Sequence, residues 1–212
     1  MMNIQSLLLI APPILMALTF HECAHAYVAH RYGDDTAKKS GRLTLNPLRH
    51  LDPLGTIMIF LVQFGWAKPV PVNPYNLRNP KKDMLWISAA GPLSNMLLAL
   101  VSGLLFRLFS DLALTAEMHT IAGPIVLMIF FSMKINLALA IFNILPIAPL
   151  DGSKILYGLL PPRFGKMIFA LERYGPFILL GLIIFGRATG MSILGGLIWP
   201  FVDFFSKLFA GV

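Results

Sequence analysis

The sequence predicts an all-α polytopic membrane protein: a three-helix core with a short re-entrant β-like hairpin and one or two further C-terminal spans. Three observations lead there. Of 212 residues, 57% are hydrophobic and only 13% charged, against about 25% charged in an ordinary soluble domain. Several apolar runs reach the roughly 20 residues that a helix needs to cross a bilayer. The formal charge of +7 gathers between those runs, where Lys and Arg set membrane orientation, so it does not call for nucleic acid. The single cysteine, Cys23, excludes an internal disulfide framework.

The first run, residues 4–29, is interrupted only by His21, Glu22 and His25. It lacks a basic leader and is too long for a cleaved signal peptide, so it is expected to remain in the mature chain. Residues 54–66 are apolar but, at about 1.5 Å per residue, reach only about 20 Å of the roughly 30 Å hydrocarbon core. Residues 87–106 form a second span without charge, and residues 121–150 a third, broken by Lys134, for which the sequence offers no obvious carboxylate partner. Residues 174–186 and 188–202 are shorter runs separated by Arg187 and Gly190, predicting two spans or a span and an interfacial helix. The whole chain, 1–212, reads as one membrane domain, with its core at about 4–156 and the C-terminal spans at about 166–209.

Charges orient these elements. Residues 31–49 carry five Lys/Arg, 68–82 four and 151–166 three, whereas 109–120 carry none but include Asp111 and Glu117. The first three connections are therefore expected on the cytoplasmic side and the fourth outside. Because the first two share a side, the segment between them should be re-entrant. Gly65, Pro69 and Pro71 suggest that residues 54–72 are a partly extended hairpin. Irregular backbone at such depth needs protein cover or a water-filled cavity nearby.

His21-Glu22-Cys23-Ala24-His25 has the H-E-x-x-H spacing. On a helix, residues i and i+4 share a face about 5–6 Å apart, which lets two imidazoles converge on one zinc ion while Glu22 serves as general base. Ionisable groups inside a span cost several kcal/mol and signal function. Cys23 lies on another face and reads as packing. A catalytic zinc needs a third protein ligand. His30 points about 140° away from the metal face, and His50 and His119 fall in connections on opposite sides. Asp151, in Asn143-Ile-Leu-Pro-Ile-Ala-Pro-Leu-Asp-Gly152, closes the third span at the cytoplasmic end. The two histidines lie about 10 Å inside the same end of the first. Pro146 and Pro149 should unwind the chain there and turn freed carbonyls and Asn143 toward a water-accessible site.

Taken together, His21-Glu22-x-x-His25, Gly91-Pro92-Leu93-Ser94-Asn95 and Asn143-x-x-Pro146-x-x-Pro149-Leu150-Asp151-Gly152 resemble the site-2 protease family of intramembrane metalloproteases, over residues 4–156. The resemblance implies one zinc per chain held by His21, His25 and Asp151. It implies a cell-membrane enzyme, its site toward the cytoplasm, that cleaves transmembrane or membrane-proximal segments of other membrane proteins. It also implies that Asn143 meets the substrate backbone or the oxyanion, with Pro146 beside it, and that the segment between the first two core helices lines the substrate path. Gly91, Pro92 and Asn95 either meet the substrate or let helices approach closely. The chain has no room for a PDZ domain or a CBS pair. An inactive membrane-protein-binding relative would have lost one of the four site residues, and a metal transporter would need ligands along a path across the bilayer rather than near one face.

Overall fold

The computed structural model describes residues 4–62, 65–110 and 122–212. Its elements are helices: α1 (Ile4–Arg31), α2 (Thr36–Lys39), α3 (Pro53–Val62), α4 (Pro80–Phe109), α5 (Ala122–Ile144), α6 (Asp151–Leu159), α7 (Gly165–Thr189) and α8 (Ile193–Ala210). Five of them, in α1, α4, α5, the stretch Pro162–Thr189 and α8, are long and apolar enough to cross a membrane. The C-terminal part thus supplies two such helices, separated at Gly190, whose φ of 74° is left-handed. Asp111, Glu117 and His119 lie outside the described residues.

The first element is unbroken despite Pro12 and Pro13, as membrane helices tolerate when neighbours satisfy the freed backbone. Its end is clasped to the segment before α4. Asp34, fully buried, accepts from Thr36 N (3.0 Å), Thr36 Oγ1 (2.5 Å), Asn73 N (2.7 Å) and Asn76 Nδ2 (2.8 Å). Burial alone would raise the pKa of this carboxyl, but the hydrogen bonds outweigh it and hold it below the usual carboxylate range.

The segment between α1 and α4 leaves and returns at one place: Leu51 pairs antiparallel with Ala67, and Lys68 N donates to His50 O (2.8 Å). In one respect the structure corrects the expectation for it. The outgoing limb is the helix α3, not a β-strand, and among the described residues there is no strand beyond that isolated bridge. The reason is local. Asp52 caps α3 by accepting from Gly55 N (2.8 Å) and Pro53 occupies its first position, a favoured pairing at helix starts. Gly65, Pro69 and Pro71 fall after the helix, in a return limb outside any helix.

At the centre is α4, which packs against α1, α5, α6 and α8. It starts with Asn79 as cap, accepting from Lys82 N (3.3 Å), while Asp83 reaches back to accept from Asn79 N (2.8 Å). Ala99 of α4, Met133 and Leu137 of α5, and Val202 and Ala210 of α8 form a buried cluster. Small residues at such a seam let helices close on one another where lipid offers no hydrophobic drive. Lys134 does have a carboxylate partner, contrary to the sequence reading: Asp203 of α8, at 3.1 Å. The two are 69 residues apart and only the packing of α5 on α8 joins them.

Candidate active site

Three residues converge inside this bundle. His21 and His25, one turn apart on α1, present Nε2 atoms 3.1 Å and 3.2 Å from Asp151 Oδ2, with their rings 4.6 Å apart and nearly perpendicular. All three are buried, and one donor atom from each lies within 4.8 Å of the others. Asp151 arrives there because α5 stops at Ile144 and a turn over residues 145–150 delivers the first residue of α6. That reversal is tight: a Cβ on Gly152 would run into the carbonyl oxygens of Ile144 and Leu145.

The outer nitrogens of both rings are committed. His25 Nδ1 lies 2.6 Å from Ile87 O, a group that can only accept, so Nδ1 carries the proton. His21 Nδ1 lies 2.5 Å from Asn95 Oδ1. Both Nε2 lone pairs therefore face Asp151, and three acceptor atoms meet with little water around them. That arrangement is repulsive unless a cation or a proton sits among them, and two imidazoles with a carboxylate are a donor set that suits zinc. Space is kept for such an ion by Gly91. A Cβ there would lie 2.5 Å from His21 Nε2 and closer still to His25 Nε2.

The triad opens on a cavity of about 490 Å³ whose walls include Glu22, Asn143, Pro149, Lys154, the return limb at residues 65–70, and Pro176, Leu179 and Ile183 of α7. Its lining is largely apolar. Glu22 is half-buried there, and its Oε2 accepts from Val70 N (3.1 Å). The limb itself is pinned by Arg42, a buried residue whose Nη2 donates to Lys68 O.

Of the predicted site residues, the structure brings His21, Glu22, His25, Asp151 and Asn143 to this one cavity. Asn143 Nδ2 also donates to Leu139 O (3.0 Å). Two others lie elsewhere. Asn95, left open between substrate contact and helix packing, is fully buried, outside the cavity lining, and spends its amide on His21, Ala17 O (3.0 Å) and Asn136 (2.7 Å). Pro146 is exposed and outside the lining, which takes Pro149 instead. His30 is tied to Asp35 (2.6 Å) and His50 to Thr44 O (2.9 Å), so neither competes for the triad. Sequence reasoning missed the hold of Val70 on Glu22 and the facing of Gly91 onto both imidazoles. No local signal encodes either, since both are contacts between distant segments.

Fold and site define a multi-pass membrane protein with a buried constellation of two histidines and one aspartate that could hold a metal ion. The chain belongs to peptidase family M50, whose model matches residues 9–182. It is 42% identical over 205 residues to a Bacillus subtilis protein named "Putative zinc metalloprotease YwhC", covering 94% of this chain and 90% of that one. A Mycolicibacterium smegmatis protein with the same description, Rip2, is 30% identical over 80% of this chain and 64% of its own length. "Zinc metalloprotease MJ0392" of Methanocaldococcus jannaschii is 25% identical over 90% of this chain and 46% of its own. No solved structure matches the chain.

Proposed function

We propose that the chain is an intramembrane zinc metalloprotease that hydrolyses peptide bonds in or near transmembrane segments of other membrane proteins. The observation that carries this reading is the meeting of His21, His25 and Asp151 beside Glu22, in one cavity among helices long enough to span a bilayer. Membership of peptidase family M50 and the names of the relatives support it.

In this reading His21, His25 and Asp151 hold one zinc ion per chain. Zinc, when bound, supplies Lewis acidity, polarising a carbonyl and making water acidic enough to attack near neutral pH. Glu22 takes the proton from the attacking water and delivers it to the leaving amine. Val70 N holds Glu22 Oε2 at the cavity wall, which fixes the carboxylate before substrate arrives. Asn143 stands where it can donate to the substrate carbonyl as charge develops on it. A helical substrate hides its carbonyls in its own hydrogen bonds, so it must unwind locally. The return limb, residues 65–72, offers main-chain groups on which an unwound peptide docks as an added strand. The basic connections support a site that faces the cytoplasm.

The test is purified protein with a model membrane substrate and metal analysis side by side. Glu22→Gln should keep about one zinc per chain and lose cleavage, because the amide cannot act as a base. Asp151→Ala should lose zinc and cleavage together. Normal cleavage by Glu22→Gln rejects the assigned mechanism, and full zinc in well-folded Asp151→Ala removes Asp151 from the ligand set. For the topology, single cysteines at Asp52 and Asn73 in a Cys23→Ala background should both label from the cytoplasm, and labelling from opposite sides would refute the re-entrant arrangement.

A further inference from the structure

Behind His21 lies a chain of buried amides that no part of the mechanism uses. His21 Nδ1 meets Asn95 Oδ1 (2.5 Å), Asn95 Nδ2 donates to Asn136 Oδ1 (2.7 Å), and Asn136 Nδ2 donates to Ser132 O (2.8 Å). Asn95 on α4 and Asn136 on α5 are both fully buried, so the chain crosses from α1 through α4 to α5 with no solvent contact at either amide.

Its direction is forced. Ala17 O and Ser132 O are backbone carbonyls and can only accept. The Asn95 group 3.0 Å from Ala17 O must therefore be its NH₂, and the Asn136 group facing Ser132 O must be its NH₂ as well. Turning either amide over would set oxygen against oxygen at the carbonyl, and turning Asn136 alone would also set donor against donor between the two amides. Asn95 is left with one polar atom toward His21, its oxygen. That oxygen requires a proton on His21 Nδ1 and leaves the Nε2 lone pair aimed at Asp151.

We propose that Asn136 is a positioning residue for the metal site: through Asn95 it fixes the tautomer and ring plane of His21, although it touches neither the triad nor the cavity. The proposal rests on the zinc reading for its effect on metal but not for its effect on the ring. Without Asn136 Oδ1, one Asn95 N–H loses its partner in a buried site, and Ala17 O alone holds the amide against turning. Outer partners of metal-ligating histidines fix the tautomer in this way.

The experiment uses the full-length chain in bicelles, with ¹⁵N-labelled histidine and metal removed, at a pH where imidazole is neutral. Comparison with His21→Gln assigns the His21 signals. The wild type should show a protonated Nδ1 and a bare Nε2 at His21, and Asn136→Leu should show a mixture of tautomers. Zinc affinity, read by competition with a chromophoric chelator, should fall roughly tenfold in Asn136→Leu. Ser132→Ala keeps the backbone carbonyl and should match the wild type on both readouts. Should Asn136→Leu fail to fold, Asn136→Ala carries the same test. Folded Asn136→Leu or Asn136→Ala with an unmixed His21 tautomer and wild-type zinc affinity overturns the proposal, as does a wild type whose His21 is protonated at Nε2. A wild type that binds no zinc, yet whose His21 tautomer still depends on Asn136, supports the proposal and defeats the zinc reading instead.

Discussion

Adding one methyl group at Gly91 tests the metal site without touching any residue that carries chemistry. In Gly91→Ala the new Cβ would stand 2.5 Å from His21 Nε2 and nearer still to His25 Nε2. Ordinary contact between such atoms is about 3.5 Å or more, so both donors must recede by about 1 Å. Metal–ligand distances tolerate only about ±0.2 Å. Neither ring can retreat freely, because Ile87 O and Asn95 hold their outer nitrogens at 2.6 Å and 2.5 Å. Zinc affinity should therefore fall at least about a hundredfold, beyond the 10–100-fold range of losing one outer partner. Helix propensity acts in the other direction, since Ala in place of Gly favours a helix interior by up to about 1 kcal/mol. Metal analysis and chelator competition on purified Gly91→Ala, with size exclusion and thermal melting as folding controls, distinguish the two effects. A folded Gly91→Ala with wild-type zinc content and affinity would refute the placement of the ion between these nitrogens.

Two further outcomes follow from contacts away from the triad. The carboxyl of Asp34 is held below its ordinary pKa, so its stabilising contribution is full above the unfolded value of about 3.9 and is lost as pH falls toward the lower folded value. Acid melting of the wild type should be steeper below pH 4 than that of Asp34→Asn, which should cost about 1–3 kcal/mol near neutrality by turning an NH₂ toward donors; equal pH profiles would rule out the clasp. The Lys134–Asp203 pair lies outside the cavity lining, and Asp203 is well exposed, so a double-mutant cycle should return a coupling of about 1 kcal/mol or less, with zinc content unchanged. Loss of zinc in Asp203→Asn would show that the pair does more than join α5 to α8.

Much of the site was legible because helical geometry made it so. The i, i+4 spacing put His21 and His25 on one face, and the matching depths of His25 and Asp151 within their spans anticipated their meeting at 3.2 Å. The helical character of α3 was legible too but overlooked: Asp52-Pro53 is a cap followed by a first-turn proline, and it outweighs breakers that lie beyond the helix. The surroundings of Asn95 and Pro146 were illegible for a different reason. Asn95 lies midway along α4 (Pro80–Phe109), where burial and cavity exposure differ by a small rotation of the helix, and Pro146 sits in a turn whose path decides which side faces the cavity. Asp203 opposite Lys134, Val70 opposite Glu22 and Asn136 behind Asn95 depend on how separate helices and limbs pack, which no periodicity within one segment encodes.

The bond from Val70 N to Glu22 has a consequence for how this chain tolerates change. It is a main-chain bond, so the base is held by whatever residue stands at position 70, with a single exception. Proline has no N–H to give. In a saturation library selected for proteolysis, position 70 should accept many side chains that suit the cavity wall while rejecting proline, although its neighbours Pro69 and Pro71 carry that residue natively. The limb would then drift in sequence while keeping one backbone hydrogen in place.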